Sequence, residues 1–397
     1  MIAMPALSVP GQDVRGAMRL VLIVPSLGGG GAERVMATLA NAWAVRGAEV
    51  TLITLSSAVN DRYPLDRRVW RLALDVAGRS SNPVQAFGRN VVRVRALRRA
   101  IKAARPDAVI SFVANTNALA MIAAMGLRVP VIVTERQFIG AEPSRLVWTV
   151  LRRVLYRRAA AVVAQTRRCA DELEARVGRA VRVIANPVAP GTDNARPDPA
   201  PVADGRMRTL LAVGRLVPAK GFDLLIEAFA RVAERHPGWK LEILGEGPLR
   251  EPLTQSIAMH GLLARIALPG FSPQVRQAMR RADLFVLSSR FEGLPNALLE
   301  AMAEGVACVS FDCTAGPREL ITHGENGWLV PAEDVDGLAA AFDTLMQDDV
   351  LRARLGAHAR EVRDLYSVSE ILRQWDMLLA SVMAPRAARA SAAVEEA

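Results

Sequence analysis

Short apolar runs alternate with amphipathic stretches along most of the chain. Residues 19–25 (RLVLIVP), 49–55 (EVTLITL), 108–112, 130–134 and 161–165 have the composition of strands covered on both faces. A helical pattern over 32–45 follows the first of them and stops at Gly47. From 185 to 207 the alternation lapses into ANPVAPGTDNARPDPAPVADGRM, whose density of Pro, Gly, Asp and Asn predicts a linker. It restarts with strands at 209–213, 240–244, 282–287 and 307–311 and helices at 222–235 and 296–303. Strands joined through helices need crossover connections and therefore parallel sheets. The expectation is an α/β chain of two similar units, with ligands bound in the cleft between them at the carboxyl ends of the strands.

Length agrees, because 397 residues exceed what one core sustains. The boundaries are placed at 18–187 for the first domain, 188–206 for the linker and 207–365 for the second domain. Residues 1–17 and 384–397 are expected to be a disordered extension and tail, with a helix at 366–383 between domain and tail. Hydrophobic residues at 51% and charged ones at 23% describe a globular protein. Three cysteines suit a reducing compartment, and the absence of any Cys/His cluster argues against structural zinc. The net charge of +10 is uneven: residues 1–200 hold 29 bases and 14 acids, the remainder 21 and 26. A basic half fits either nucleic acid or an anionic membrane surface.

Four segments carry candidate chemistry. SLGGGGAERV (26–35) ends a strand and opens a helix, so Gly30 and Gly31 let backbone amides approach an anion; a plain flexible turn has the same composition. VGRLVPAKG (213–221) places Arg215 and Lys220 just beyond a strand end, where two cations can neutralise a diphosphate leaving group. Lys220 is one of three lysines among 50 basic residues, so a compact point charge is selected there. Gly245-Glu246-Gly247 lies where a nucleotide-binding loop or a simple turn would sit. SSRFEGLPNALLEAM (288–302) holds Glu292 in a loop and Glu300 in the next helix. Between them Gly293, Leu294, Pro295 and Asn296 offer a helix N-terminus to phosphate or sugar oxygens. Glu300 is suited to accepting two hydrogen bonds from adjacent hydroxyls. Asp334-Val335-Asp336 looks like a metal motif but opens a helical pattern, where acids favour the helix dipole.

VGRLVPAKG, the GEG loop and FEGLPNALLE, with glutamates eight apart, resemble the retaining family 4 glycosyltransferases over residues 18–382. SFDCTAGP (310–317), VISFVANTN (109–117) and Thr134-Glu135-Arg136 are similar to bacterial enzymes of lipid-linked glycan, exopolysaccharide or lipopolysaccharide assembly. Among these are the N-acetylgalactosaminyltransferases of N-glycan synthesis. The resemblance implies the GT-B fold, two Rossmann-like doubly wound domains facing a central cleft, with helix 366–383 crossing back to the first. It implies a UDP-sugar donor on the second domain, no metal or other cofactor, and front-side transfer with retention. Glu300 would hold the donor ribose and Glu292 the transferred sugar, while Arg215 and Lys220 would stabilise the departing diphosphate. The first-domain histidine of many such enzymes is missing, since all four histidines lie in the second half. Asn115 or Glu135 is expected in its place, on the acceptor side.

Two basic stretches remain. Residues 89–105 include Arg93, Arg98 and Arg99. Residues 145–158 set Arg152, Arg153 and Arg157 beside Trp148 on an apolar face. They are expected to rest on an anionic membrane, and a core-facing helix with a solvated basic side is the other reading. No nucleic-acid module occurs, and the acidic half opposes wrapping. The expected protein is a glycosyltransferase attached peripherally to the cytoplasmic face of the cell membrane. It would move a hexose or N-acetylhexosamine from a UDP-sugar to a lipid-linked or polysaccharide acceptor. A non-catalytic nucleotide-sugar-binding scaffold and a UDP-sugar epimerase are the alternatives.

Overall fold

The computed structural model describes residues 17–78, 82–136, 146–188 and 206–395, with the backbone alone at 83, 146–150 and 385–395. Most of the expected extension and linker therefore lies outside the described residues. The first domain is a parallel sheet of β1 (Arg19–Val24), β2 (Glu49–Thr54), β3 (Val69–Ala73), β4 (Ala108–Phe112), β5 (Val131–Thr134), β6 (Ala161–Ala164) and β7 (Arg182–Val183), in the order β3-β2-β1-β4-β5-β6-β7. Helices α1 (Gly31–Val45), α2 (Pro83–Ala104), α3 (Ala114–Ala124), α4 (Leu146–Arg157) and α5 (Arg167–Val177) cover it.

The second domain repeats the plan. Strands β8 (Arg208–Val213), β9 (Trp239–Leu244), β10 (Ile266–Gly270), β11 (Leu284–Leu287), β12 (Cys308–Asp312) and β13 (Trp328–Pro331) run in the order β10-β9-β8-β11-β12-β13. Around them lie α6 (Phe222–Ala233), α7 (Arg250–Met259), α8 (Val275–Arg281), α9 (Asn296–Ala303), α10 (Pro317–Leu320), α11 (Val335–Gln347), α12 (Asp349–Ala359) and α13 (Val362–Leu365). In each sheet the strand order reverses beside the first strand, so connections diverge there and leave a crevice at the carboxyl ends.

The last helix, α14 (Val368–Glu395), leaves the second domain and returns to the first. Trp375 lies edge-on to Trp43 of α1, with centroids 6.2 Å apart, and stacks on Phe112 of β4 at 6.5 Å. The indole of Trp43 donates to Asp376 at 2.9 Å, and Ile371, Leu372 and Leu379 complete the buried seam. Residues 384–395 continue the helix where a disordered tail was expected. Their alanines and arginines propagate helix well, so regular backbone extends beyond the last core residue.

Candidate active site

The two glycine-flanked helix starts, α1 and α9, meet across the cleft. Gly29 has φ of 121°, which side chains resist, and Gly30 stands at the N-cap of α1 with its carbonyl accepting from Tyr63 Oη at 3.1 Å. A Cβ at Gly31 would come within 2.5 Å of Asn296 Nδ2, so bulk there would displace the Asn296 side chain. One turn on, Arg34 reaches over the cleft and grips both carboxylate oxygens of Glu300, Nη1 to Oε2 at 3.0 Å and Nη2 to Oε1. Burial raises the Glu300 pKa and Arg34 opposes the rise. A paired-donor fork thus fits the carboxylate that was read as a partner for two adjacent hydroxyls.

Glu292 occupies the loop after β11, where its Oε1 accepts from Lys220 Nζ at 2.5 Å and from Ser289 Oγ at 2.7 Å. Lys220 is held by its backbone: Gly221 takes φ of 59°, and the Lys220 carbonyl accepts from Ser288 Oγ at 2.9 Å. Arg215 is exposed, and its side chain has no hydrogen-bond or ion-pair partner among the described residues. Arg215 and Lys220 exceed Glu292 by one charge around that loop, and Glu300 on α9 is matched by Arg34 of the first domain. Gly293, Leu294 and Pro295 are buried and lead into α9, which has no side-chain cap. Its first amides remain available, because the Asn296 side chain bonds Asn186 at 2.6 Å instead.

The GEG loop is a brace. A Cβ on Gly245 would strike the Gly214 carbonyl, and one on Gly247 the Leu216 backbone, while the Leu216 amide donates to Glu246 O at 2.9 Å. Its role is to fix the 214–216 segment that carries Arg215. The Glu246 carboxylate is exposed and pairs with Arg250 at 2.6 Å.

The first-domain wall differs from expectation. Glu135 is buried, takes the Tyr156 hydroxyl at 2.6 Å and pairs with Arg152 at 3.4 Å. It is a strut inside the domain rather than an acceptor-facing group, and burial raises its pKa. Asn115 is exposed in the first turn of α3. The turn before it strains Val113 to φ of 76°, unusual for a β-branched residue. Beside the Gly293 loop stand three residues that sequence reasoning missed: Arg136, Gln165 and Asn186. Arg136 lies on the face of Phe112, 3.5 Å from its centroid, and donates to Asn186. A Cβ on Gly293 would lie 3.0 Å from both the Arg136 carbonyl and the Gln165 side chain. Each follows a strand end, and Arg136 also belongs to the Thr134-Glu135-Arg136 segment of the resemblance, which gave it no role.

Part of the basic stretches is engaged within the first domain. Arg93 donates to the carbonyls of Val76 at 3.1 Å and Gly78 at 2.8 Å, Arg98 to Ala123 and Met125, and Arg157 to Val177 at 2.9 Å. Arg152 is on Glu135, and Leu155 and Tyr156 of α4 are buried in the core while Val154 is exposed. Arg99 and Arg153 are exposed without a partner among the described residues, and the Trp148 side chain lies outside them. Elsewhere, Asp334 caps α11 at 2.9 Å, Asp336 pairs with Arg231, and burial pushes the Cys313 thiol to about 12.

Comparison with known proteins agrees with this architecture. Residues 30–189 match the glycosyl transferase 4-like domain, and residues 198–362 match glycosyl transferases group 1. An exopolysaccharide phosphotransferase of Streptomyces coelicolor is 38% identical over 229 residues, 57% of this chain, and the chain spans 24% of that relative's length. A Campylobacter jejuni α-1,4-N-acetyl-D-galactosaminyltransferase named for a diphospho-undecaprenol-linked acceptor is 27% identical over 92% of this chain and 99% of its own. HepE of Anabaena, solved with UDP and glucose, superposes with a TM-score of 0.75 at 20% identity, over 92% of this chain and all of that one. The chain belongs to the family 4 glycosyltransferases, GT-B proteins that join a glycosyl transferase 4-like first domain to a group 1 second domain.

Proposed function

We propose that this glycosyltransferase moves a sugar from a UDP-sugar, with retention, onto a lipid-linked or polysaccharide acceptor in bacterial surface-glycan synthesis. The observation that carries the reading is the second-domain wall. Arg215 lies just beyond β8, the Lys220–Glu292 pair joins that segment to the loop leading into the open N-terminus of α9, and Glu300 follows one turn further along that helix. Donor phosphates fit the cations and amides, the ribose fits Glu300, and the sugar fits the Glu292 loop. The acceptor hydroxyl attacks the anomeric carbon from the side that UDP leaves; the C1–O bond breaks and the hydroxyl proton passes to the departing phosphate oxygen. Arg215 and Lys220 stabilise the negative charge that develops there, so no metal is required. Closure of the cleft keeps water from the activated sugar.

The acceptor approaches from the first domain, which rests on an anionic membrane at the cytoplasmic face. Exposed Val84, Phe87 and Val92 on α2, beside Arg95 and Arg99, support that placement. Among the described residues no helix is long and apolar enough to cross a membrane.

Incubation with labelled UDP-sugars and membrane lipid extract tests the reaction. Labelled glycolipid should form, persist with EDTA, and fall by about 100-fold or more in Glu300→Ala and Lys220→Ala proteins that fold normally. Full activity in both variants would sink the site assignment. Binding without product would indicate a scaffold, and isomerised donor without acceptor an epimerase.

A further inference from the structure

Among the described arginines of the first domain, Arg136 is enclosed without a carboxylate partner. Its guanidinium is sandwiched against Phe112, Nη1 bonds Asn186, and its own carbonyl is 3.2 Å and Nη1 2.8 Å from the Gln165 amide. Nε is fully buried and has no acceptor, and Nη2 makes no hydrogen bond among the described residues. No carboxylate pairs with it there either. Comparably enclosed Arg71 and Arg152 each hold one, Asp61 and Glu135. The neighbouring Glu135 is committed to Arg152 and Tyr156, so it does not neutralise Arg136. Burial alone draws the Arg136 pKa down to about 9, still far enough above neutrality to keep the charge. A desolvated cation without a counter-charge destabilises a fold unless something else binds it. This one stands just beyond the carboxyl end of β5, with its carbonyl facing Gly293 of the opposite domain and its Nη1 on Asn186, whose side chain also bonds Asn296 there.

We propose that Arg136 is an oxyanion-binding residue that receives a phosphoryl group in the loaded cleft. The proposal rests on the glycosyl-transfer reading for the source of that group, either the diphosphate of a lipid-linked acceptor or that of the donor. The planar fork, held by Phe112, Gln165 and Asn186, is oriented before the ligand arrives and loses little freedom on binding it. Arg215 and Lys220 already serve the second-domain side, so the first-domain position favours the acceptor's phosphate.

Wild type, Arg136→Gln and Arg136→Lys are to be compared in two arms, after thermal melts establish folding. Calorimetry measures binding of inorganic pyrophosphate and of UDP. Kinetics compares a polyprenyl-diphosphate-linked glycan with the same glycan as an alkyl glycoside. Loss of one charge-assisted contact should weaken binding roughly 10- to 100-fold in Arg136→Gln, with Arg136→Lys in between. If the acceptor supplies the anion, KM rises for the diphosphate-linked acceptor alone and UDP affinity holds. If the donor supplies it, UDP affinity falls and donor KM rises equally with both acceptors. Unchanged pyrophosphate and UDP affinity, together with unchanged KM values or an equal fall in kcat for both acceptors, would overturn the proposal. Should wild type transfer from no UDP-sugar, the function reading fails, while pyrophosphate calorimetry still decides the oxyanion site.

Discussion

At the scale of single residues, what the sequence reveals depends on how far away a residue's partners lie. Glu292 and Lys220 stood out because strand ends and glycines flank them closely. Arg34 did not, although it sits in a segment already singled out: its partner Glu300 is 266 positions away. Arg136 lies in the Thr134-Glu135-Arg136 segment that carries the family resemblance, but composition gave it no separate role, since 47 of the 50 basic residues are arginine. Glu135 was placed on the acceptor side because its position after β5 was right, but the side chain turns inward to Arg152. In the GEG loop, close approach at Gly245 explains the glycine itself. With φ of 152° and a Cβ directed into the Gly214 carbonyl, Gly245→Ala should shift the Arg215 loop. Transfer should drop at least tenfold, with about 1–3 kcal/mol lost in urea denaturation; a variant with wild-type activity and melting would contradict the bracing role.

At the scale of elements, the interior strands were legible and the outer ones were not. β4, β5, β6 and β11 are buried at every residue and read as unbroken apolar runs. The outermost strands β3 (VWRLA), β7 (RV), β10 (IALPG) and β13 (WLVP) lack that signal, because a strand paired on one side tolerates exposure and proline. Helix α14 poses the opposite case, an element whose core is in another domain. Its Trp375 is 1% exposed between Trp43 and Phe112. Trp375→Ala should cost about 3–5 kcal/mol and lower the denaturation midpoint of the first domain more than that of the second. Domain-resolved hydrogen exchange would read this out, and equal loss of protection in both domains would deny that α14 serves the first.

For the whole molecule, charge and shape act together. The basic half coincides with the first domain, and its exposed cations share α2 with Phe87, 74% exposed, and Val84, 81% exposed. Co-sedimentation with vesicles containing anionic lipid should bind the protein at low salt and release most of it by about 0.5 M salt, where screening acts within a few ångströms. Phe87→Asp or the double change Arg95→Glu with Arg99→Glu should weaken capture at least several-fold. Equal capture by neutral vesicles would exclude an electrostatic surface.

The fork between Arg34 and Glu300 has one more effect at this scale. If the donor ribose needs Glu300, it meets a carboxylate that already has an internal tenant, and apparent affinity scales with the fraction of time that tenant is away. Added salt then acts in two opposing directions, screening the donor's phosphates while loosening the occupant. Affinity for the nucleotide sugar would vary less with ionic strength than its charge implies, a form of buffering built from a single cross-domain contact.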